Sequence, residues 1–133
     1  MNLLLSTEVL IWALVDDPKL SKKAKKLILD PDNEIHFSSV SLLEIALLHN
    51  SSSDNTNLSG KQLMQYCEKA GFIHVEIQDK HLFAVEALKV KDSLPYHDPF
   101  IPLLIAQAKE EKMLLIAHHS LYSHYKEKCI ELV

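Results

Sequence analysis

Asp98-Pro99-Phe100-Ile101-Pro102-Leu103-Leu104-Ile105-Ala106-Gln107-Ala108 is the stretch that decides the fold. An Asp before a helix accepts hydrogen bonds from the free N–H groups of the first turn, and Pro fits that turn because its missing N–H would have no partner there. The apolar run that follows predicts a helix to about Glu111. Leu114 to Ala117 comes next, apolar throughout and too short for a helix, so it reads as a buried strand.

Working outward, the same alternation of helix and strand recurs. Asn2 to Leu5 reads as a buried strand and Glu8 to Val15 as a helix. Ser21 caps a helix over Lys22 to Leu29, with Ala24, Leu27 and Ile28 as its apolar stripe, and Asp30-Pro31 ends it. Ile35 to Ser38 is a second strand. Ser41-Leu42-Leu43-Glu44 has capping-box spacing, which would open a helix running to about His49. Polar residues from Asn50 to Ser59 predict the most mobile loop. A helix from Ser59 or Gly60 ends at Gly71, and Phe72 to Ile77 alternates as a strand. Asp79 is expected to cap a helix to about Leu88, and Lys89 to His97 to be a turn-rich loop. His119 to Tyr125 predicts a short helix and Cys129 to Leu132 a last strand.

Five strands separated by helices predict an α/β fold of three layers, a central parallel five-stranded sheet with helices on both faces. Parallel neighbours need crossovers, and both faces must be covered. Ligands then bind beyond the carboxyl ends of the strands. Ser6, Ser38, Ser39 and His118 follow strands there, while Glu44 and Asp98 open helices.

The chain of 133 residues suits one domain, 1–133. Its net charge is −4, with fourteen Lys and no Arg, so there is no general field for nucleic acid and no planar fork for phosphate. RNA contact should be local and modest, and binding to DNA by the chain alone is not expected. Ser6, Thr7 and Glu8 interrupt the apolar N-terminal segment, which is therefore no membrane span. Two cysteines, Cys67 and Cys129, suggest reduced thiols and a cytoplasmic location.

Four stretches resemble the PIN-domain family, specifically its VapC-like toxins. Leu3 to Trp12 is similar to the opening strand, where the family has an Asp and a Thr before a hydrophobic stretch. Asp16-Asp17-Pro18-Lys19-Leu20-Ser21 is similar to a loop of one branch. Phe37 to Ala46 resembles the segment supplying the family's glutamate, and Asp98 to Ala108 is the most specific match. The resemblance implies a PIN-like fold, a metal-dependent endoribonuclease, a small antitoxin partner and a homodimer. It also implies a cluster of acids holding Mg²⁺, a hard ion that prefers oxygen ligands and can activate water beside a phosphodiester.

Glu44 and Asp98 are the family acids that remain, and they are the candidate catalytic residues and weak metal ligands. Ser6 stands where the family has its first Asp, and His118 where it has a later one. Asp98-Pro99-Phe100-Ile101-Pro102 also lacks the second carboxylate and the Arg of the family pattern, and Ile116 replaces a Thr. These losses predict weak or absent Mg²⁺ binding.

Each candidate also has a structural reading. Glu44 could complete its capping box and Asp98 could simply cap its helix. Glu8, two residues from Ser6, could swing in as a substitute ligand, but it also suits the first turn through the helix dipole. His97, His118, His119 and His124 could form a Zn²⁺ or Mn²⁺ site with Asp98, though no zinc spacing supports it. Trp12, Phe37, Phe83 and Phe100 read as core, Cys67 as a small core residue, and Lys22, Lys23, Lys25 and Lys26 as a solvated face. Three functional readings follow: a PIN-type domain with lost or reduced ribonuclease activity that keeps protein or RNA binding, a weak Mg²⁺- or Mn²⁺-dependent ribonuclease using Asp98 and Glu44, and a histidine-metal domain.

Overall fold

The computed structural model describes residues 1–51, 58–91 and 98–133. The elements run β1 (Asn2–Leu5), α1 (Thr7–Val15), α2 (Lys22–Leu29), β2 (Glu34–Ser38), α3 (Ser39–His49), α4 (Gly60–Lys69), β3 (Ile73–Val75), α5 (Asp79–Val85), α6 (Phe100–Glu110), β4 (Leu114–Ala117), a 3₁₀ helix (Ser120–His124) and β5 (Ile130–Leu132). The sheet is parallel throughout, in the order β3-β2-β1-β4-β5. This is the α/β architecture that the alternation of elements predicts.

Successive strand residues point to opposite faces, and the core divides accordingly. Leu3, Leu5, Phe37 and Ile116 pack with Val9 and Leu10 of α1, Ala24 of α2, Ile45 of α3 and Leu63 and Cys67 of α4. Leu4, Val75, Leu115 and Ala117 pack on the other face with Ile101, Leu104, Ile105 and Ala108 of α6 and with Tyr122 and Tyr125. Leu3, Leu4 and Leu5 are all fully buried, and each such side chain contributes about 2 kcal/mol of transfer free energy. A polar pin crosses the second layer. The Ser38 hydroxyl donates to the buried Gln107 side-chain oxygen, and the Gln107 amide donates to the Glu76 carbonyl at 3.3 Å.

Local signals set several ends as expected. The Ser21 hydroxyl accepts from Ala24 N–H at 3.1 Å, and Ser59 forms a capping box with Gln62. Gly71 follows α4 with φ +82°, the left-handed region. Cys67 is buried and its thiol is pushed up to about 12 by desolvation first and the Glu68 charge second. The four lysines of α2 are exposed, Lys25 pairing with Asp16 and Lys23 with Glu131.

Three expectations are corrected. The helix of Glu44 does not open at Ser41: Ser38 is the cap, accepting from Val40 N–H at 2.9 Å, and Ser41 is fully buried inside the helix. The strand hands directly to the helix, leaving no room for a cap three residues later. Asp79 is the first helical residue of α5, whose cap is Gln78, and the Gln78 N–H is taken by His81 Nδ1 at 3.0 Å. Phe83 is 67% exposed, not core, because α5 is only two turns long and turns His81 inward. The loop expectations for 50–59 and 89–97 fall largely outside the described residues, as does His97.

Candidate active site

The carboxyl ends of β1 and β4 and the start of α6 meet at a pocket of about 50 Å³, walled by Ser6, Thr7, Glu8, Glu44, Asp98, Ile101, His119 and Tyr122. Ser6 follows β1 at the N-cap of α1, its N–H bonded to the Ile116 carbonyl of β4 at 3.0 Å, and Thr7 and Glu8 open α1. Asp98 sits at the head of α6, its Oδ1 accepting from Phe100 N–H at 2.8 Å and Ile101 N–H at 3.3 Å. It therefore caps the helix and faces the pocket together. Such a volume admits a few waters and little else.

Glu44 reaches this pocket from the middle of α3. The Thr7 hydroxyl donates to Glu44 Oε1 at 2.6 Å, and Thr7 Oγ1 also lies 2.8 Å from the Ser41 hydroxyl. A hydroxyl has one hydrogen, so with Thr7 donating to Glu44, Ser41 must donate to Thr7. Burial pushes the Glu44 carboxyl above its ordinary value; the Thr7 bond opposes this, and the charges of Asp98 and Glu8 add to it. Tyr122, buried at the pocket floor, is held protonated by burial and by the charges of Glu44, Asp98 and Glu8. These shifts reveal one shared negative field from three carboxylates.

Of the residues singled out in the sequence, Ser6, Glu44, Asp98, Glu8 and His119 meet here. His118 does not. Its Nδ1 lies 2.8 Å from the Val133 carbonyl and its ring stands edge-on to Trp12 at 5.0 Å, away from the acids. His119 lines the pocket instead, its Nδ1 accepting from Leu121 N–H at 3.1 Å. Thr7, Ser41 and Tyr122 were missed as members of the site. Thr7 had a signal, since it stands in the opening stretch of the resemblance; Tyr122 had none beyond apolar periodicity.

The donors can be tested against Mg²⁺, which asks for several oxygens in near-octahedral array. Glu8, Glu44 and Asp98 offer carboxylates and Ser6 a hydroxyl. Yet among the described residues no three His, Cys, Asp or Glu side chains lie close enough to share an ion. As disposed, the described residues do not fit a tightly held hard cation, and the histidine-centred site includes His97, which lies outside the described residues.

No family model and no curated protein matches this sequence. Solved structures do. The chain is similar to a chain of VapBC2 from Rickettsia felis bound to a DNA fragment from their promoter, with a TM-score of 0.67 and 16% identity over 99% of this chain and 98% of that one. It is also similar to a chain of a toxin-antitoxin complex from Klebsiella pneumoniae, with a TM-score of 0.57 and 15% identity over 96% and 94% of the two chains. Both likenesses run the length of the molecule, and together they establish that the chain has a fold found in chains of these two toxin-antitoxin complexes.

Proposed function

We propose that residues 1–133 form one PIN-type domain of a toxin-antitoxin system, acting in a reducing cytoplasm, in which metal-dependent RNA hydrolysis is lost or strongly reduced while binding to a small antitoxin partner is kept. The observation that carries this reading is the make-up of the acid pocket. Ser6, only 3% exposed, is a neutral hydroxyl on the wall it shares with Glu8, Glu44 and Asp98, at the position where the resemblance has an Asp. A hydroxyl is a weak ligand for a hard dication, and removing one carboxylate from the set lowers the charge available to hold it. The His118 side chain, where a further acid is expected by resemblance, is committed to Val133 and Trp12.

Full-length fold similarity to chains of two toxin-antitoxin complexes supports the partner. A homodimer and local RNA contact belong to the same proposal. The second reading, a weak Mg²⁺- or Mn²⁺-dependent ribonuclease, is favoured by one observation: Asp98 and Glu44 do line a common pocket, with Glu8 beside them. In that case Glu44 and Asp98 would hold the ion, which would supply an activated water and neutralise charge on the phosphodiester.

One titration separates the two. Labelled single-stranded RNA incubated with the protein and rising Mg²⁺ or Mn²⁺ is expected to stay intact. Cleavage that disappears in Asp98→Ala would replace the first reading with the second. Co-expression with the product of a neighbouring small reading frame is expected to yield a complex that survives gel filtration.

A further inference from the structure

The end of α6 remote from Asp98 carries a second concavity that the acid pocket does not explain. Lys89, Lys109, Lys112, Lys126 and Lys128 line a cavity of about 370 Å³. Among the described residues, Glu127 is the one acid on its wall. The cavity gathers five of the chain's fourteen lysines, a local surplus of positive charge in a chain whose net charge is −4. The helix α6 has eleven residues, so this mouth lies roughly 16 Å from its head at a rise of 1.5 Å per residue.

Glu127 is already committed. Its carboxylate accepts from Lys89 N–H at 2.8 Å and pairs with Lys109 Nζ at 3.2 Å, with the side chain only 7% exposed. Among the described residues, the ammonium groups of Lys89, Lys112, Lys126 and Lys128 have no carboxylate within ion-pair distance. The partial negative charge at the C-terminus of α6 accounts for attraction of Lys109 and Lys112. It does not account for Lys126 and Lys128, which arrive on a separate segment.

That segment is held in place. Lys126 N–H donates to the Lys89 carbonyl and Lys91 N–H to the His124 carbonyl, each at 2.7 Å, and Val90 bridges Tyr125. The backbone that presents Lys89 and Lys126, with Lys128 two residues on, is thus two segments laced at one bridge and not a free tail. Lys112 has φ +56°, the left-handed conformation that ends α6, with Met113 N–H returning to the Ala108 carbonyl at 2.8 Å, so its backbone is fixed on the cavity wall.

We infer that this basic cavity binds a phosphate-bearing ligand, at a site separate from the acid pocket. A phosphoryl group offers several oxygens to share among converging point charges, where a single carboxylate offers two. Lysine is a compact phosphate donor when no arginine fork is at hand. The volume falls in the range of small-ligand sites, and Met113 and Cys129 add an apolar wall. The phosphate could come from an RNA backbone or from a free polyphosphate, and the inference stands whether or not the acid pocket hydrolyses RNA.

The test uses the full chain in EDTA, which suppresses any cleavage, with a fluorescent oligouridylate followed by anisotropy and inorganic pyrophosphate as competitor. The variant Lys112→Gln/Lys126→Gln/Lys128→Gln removes three exposed charges, and Lys22→Gln/Lys23→Gln/Lys26→Gln removes the same number from α2. Circular dichroism checks that both fold. The cavity variant is expected to bind about tenfold more weakly, with the slope of log affinity against log salt reduced by about 2, at roughly 0.7 per phosphate contact on a single strand. The α2 variant should stay within about twofold of the parent, as befits charges off the phosphate path.

Pyrophosphate displacement with RNA bound no more tightly than pyrophosphate itself assigns a free polyphosphate; much tighter RNA binding assigns the backbone. Either supports the inference. It is overturned if the two triple variants lose affinity equally, if the parent binds neither probe, or if polyglutamate competes as well as pyrophosphate, which would make the cavity a seat for an acidic protein segment.

Discussion

The Thr7 hydroxyl donates to a Glu44 carboxylate oxygen at 2.6 Å, across 37 positions of sequence. With Ser41 donating to Thr7 in turn, the start of α1 is tied to the middle of α3 by a chain of two hydrogen bonds directed at the carboxylate. This is what brings a glutamate from inside a helix to the mouth of the sheet, where Asp98 caps α6.

Thr7→Val keeps the shape and removes both bonds. Thr7 is only 8% exposed, so the partners left behind are poorly solvated. A loss of about 1–3 kcal/mol in unfolding free energy is expected from urea denaturation at neutral pH. A loss below the error of the extrapolation would show that the chain of hydroxyls contributes nothing to stability.

Glu44→Gln should reshape the pH dependence of stability. The folded-state pKa of Glu44 is raised, by burial first and by the Asp98 and Glu8 charges against the opposing Thr7 bond. Between the ordinary value of 4.5 and the raised one, the native state binds more protons than the unfolded state. Stability therefore falls as pH rises through that window, and is regained on acidification. The Gln variant, which cannot ionise, should lose this descending segment and be at least as stable as the parent at pH 7. Parallel profiles for the two proteins, measured by thermal melts across the acid range, would contradict the assignment.

Restoring acids should have unequal effects at the two substituted positions. Ser6 is 3% exposed and shares its pocket with three carboxylates, so Ser6→Asp adds a buried charge to a negative field and should lower the melting temperature in EDTA. Excess Mg²⁺ should recover the loss if the added carboxylate completes an ion site. His118→Asp removes the bond to Val133 and the Trp12 contact and stands outside the field, so its melting temperature should not respond to Mg²⁺. Equal metal responses would show that residue 118 shares the pocket after all.

The two glycines answer to different constraints. A Cβ on Gly60 would lie 3.0 Å from the Leu42 carbonyl oxygen and 3.4 Å from Ala46 Cβ, so α3 and α4 would have to separate by a few tenths of an ångström to admit one. Gly60→Ala should cost about 1–3 kcal/mol, because the atom that must give way is a backbone carbonyl inside α3. A Cβ on Gly71 meets nothing within 4 Å, and the cost of Gly71→Ala is the left-handed φ of +82° alone, about 1 kcal/mol. Denaturation midpoints of the two variants would rank them, and a reversed order would mean that α3 and α4 separate readily.

Wherever the controlling interaction spans a few residues, the sequence by itself was decisive. The Ser21 cap with its alternation of Lys and apolar residues fixed α2, the apolar runs fixed β1 and β4, and Asp98-Pro99 fixed the head of α6, because caps and turns act over three or four residues. The alternation of strands and helices then required crossovers, and with them a parallel sheet.

Tertiary structure alone decided the rest. It set the strand order, made Ser38 rather than Ser41 the cap of α3, exposed Phe83, placed His119 and not His118 at the acids, and added Thr7 and Tyr122 to the pocket. Each of these depends on which surfaces meet across tens of residues, as with Thr7 and Glu44, and side-chain periodicity does not encode which partner lies opposite. The lysine cavity is the same case: Lys89, Lys112 and Lys126 are separated in sequence and become one site only when the Lys89 and Lys126 backbones pair beside the end of α6.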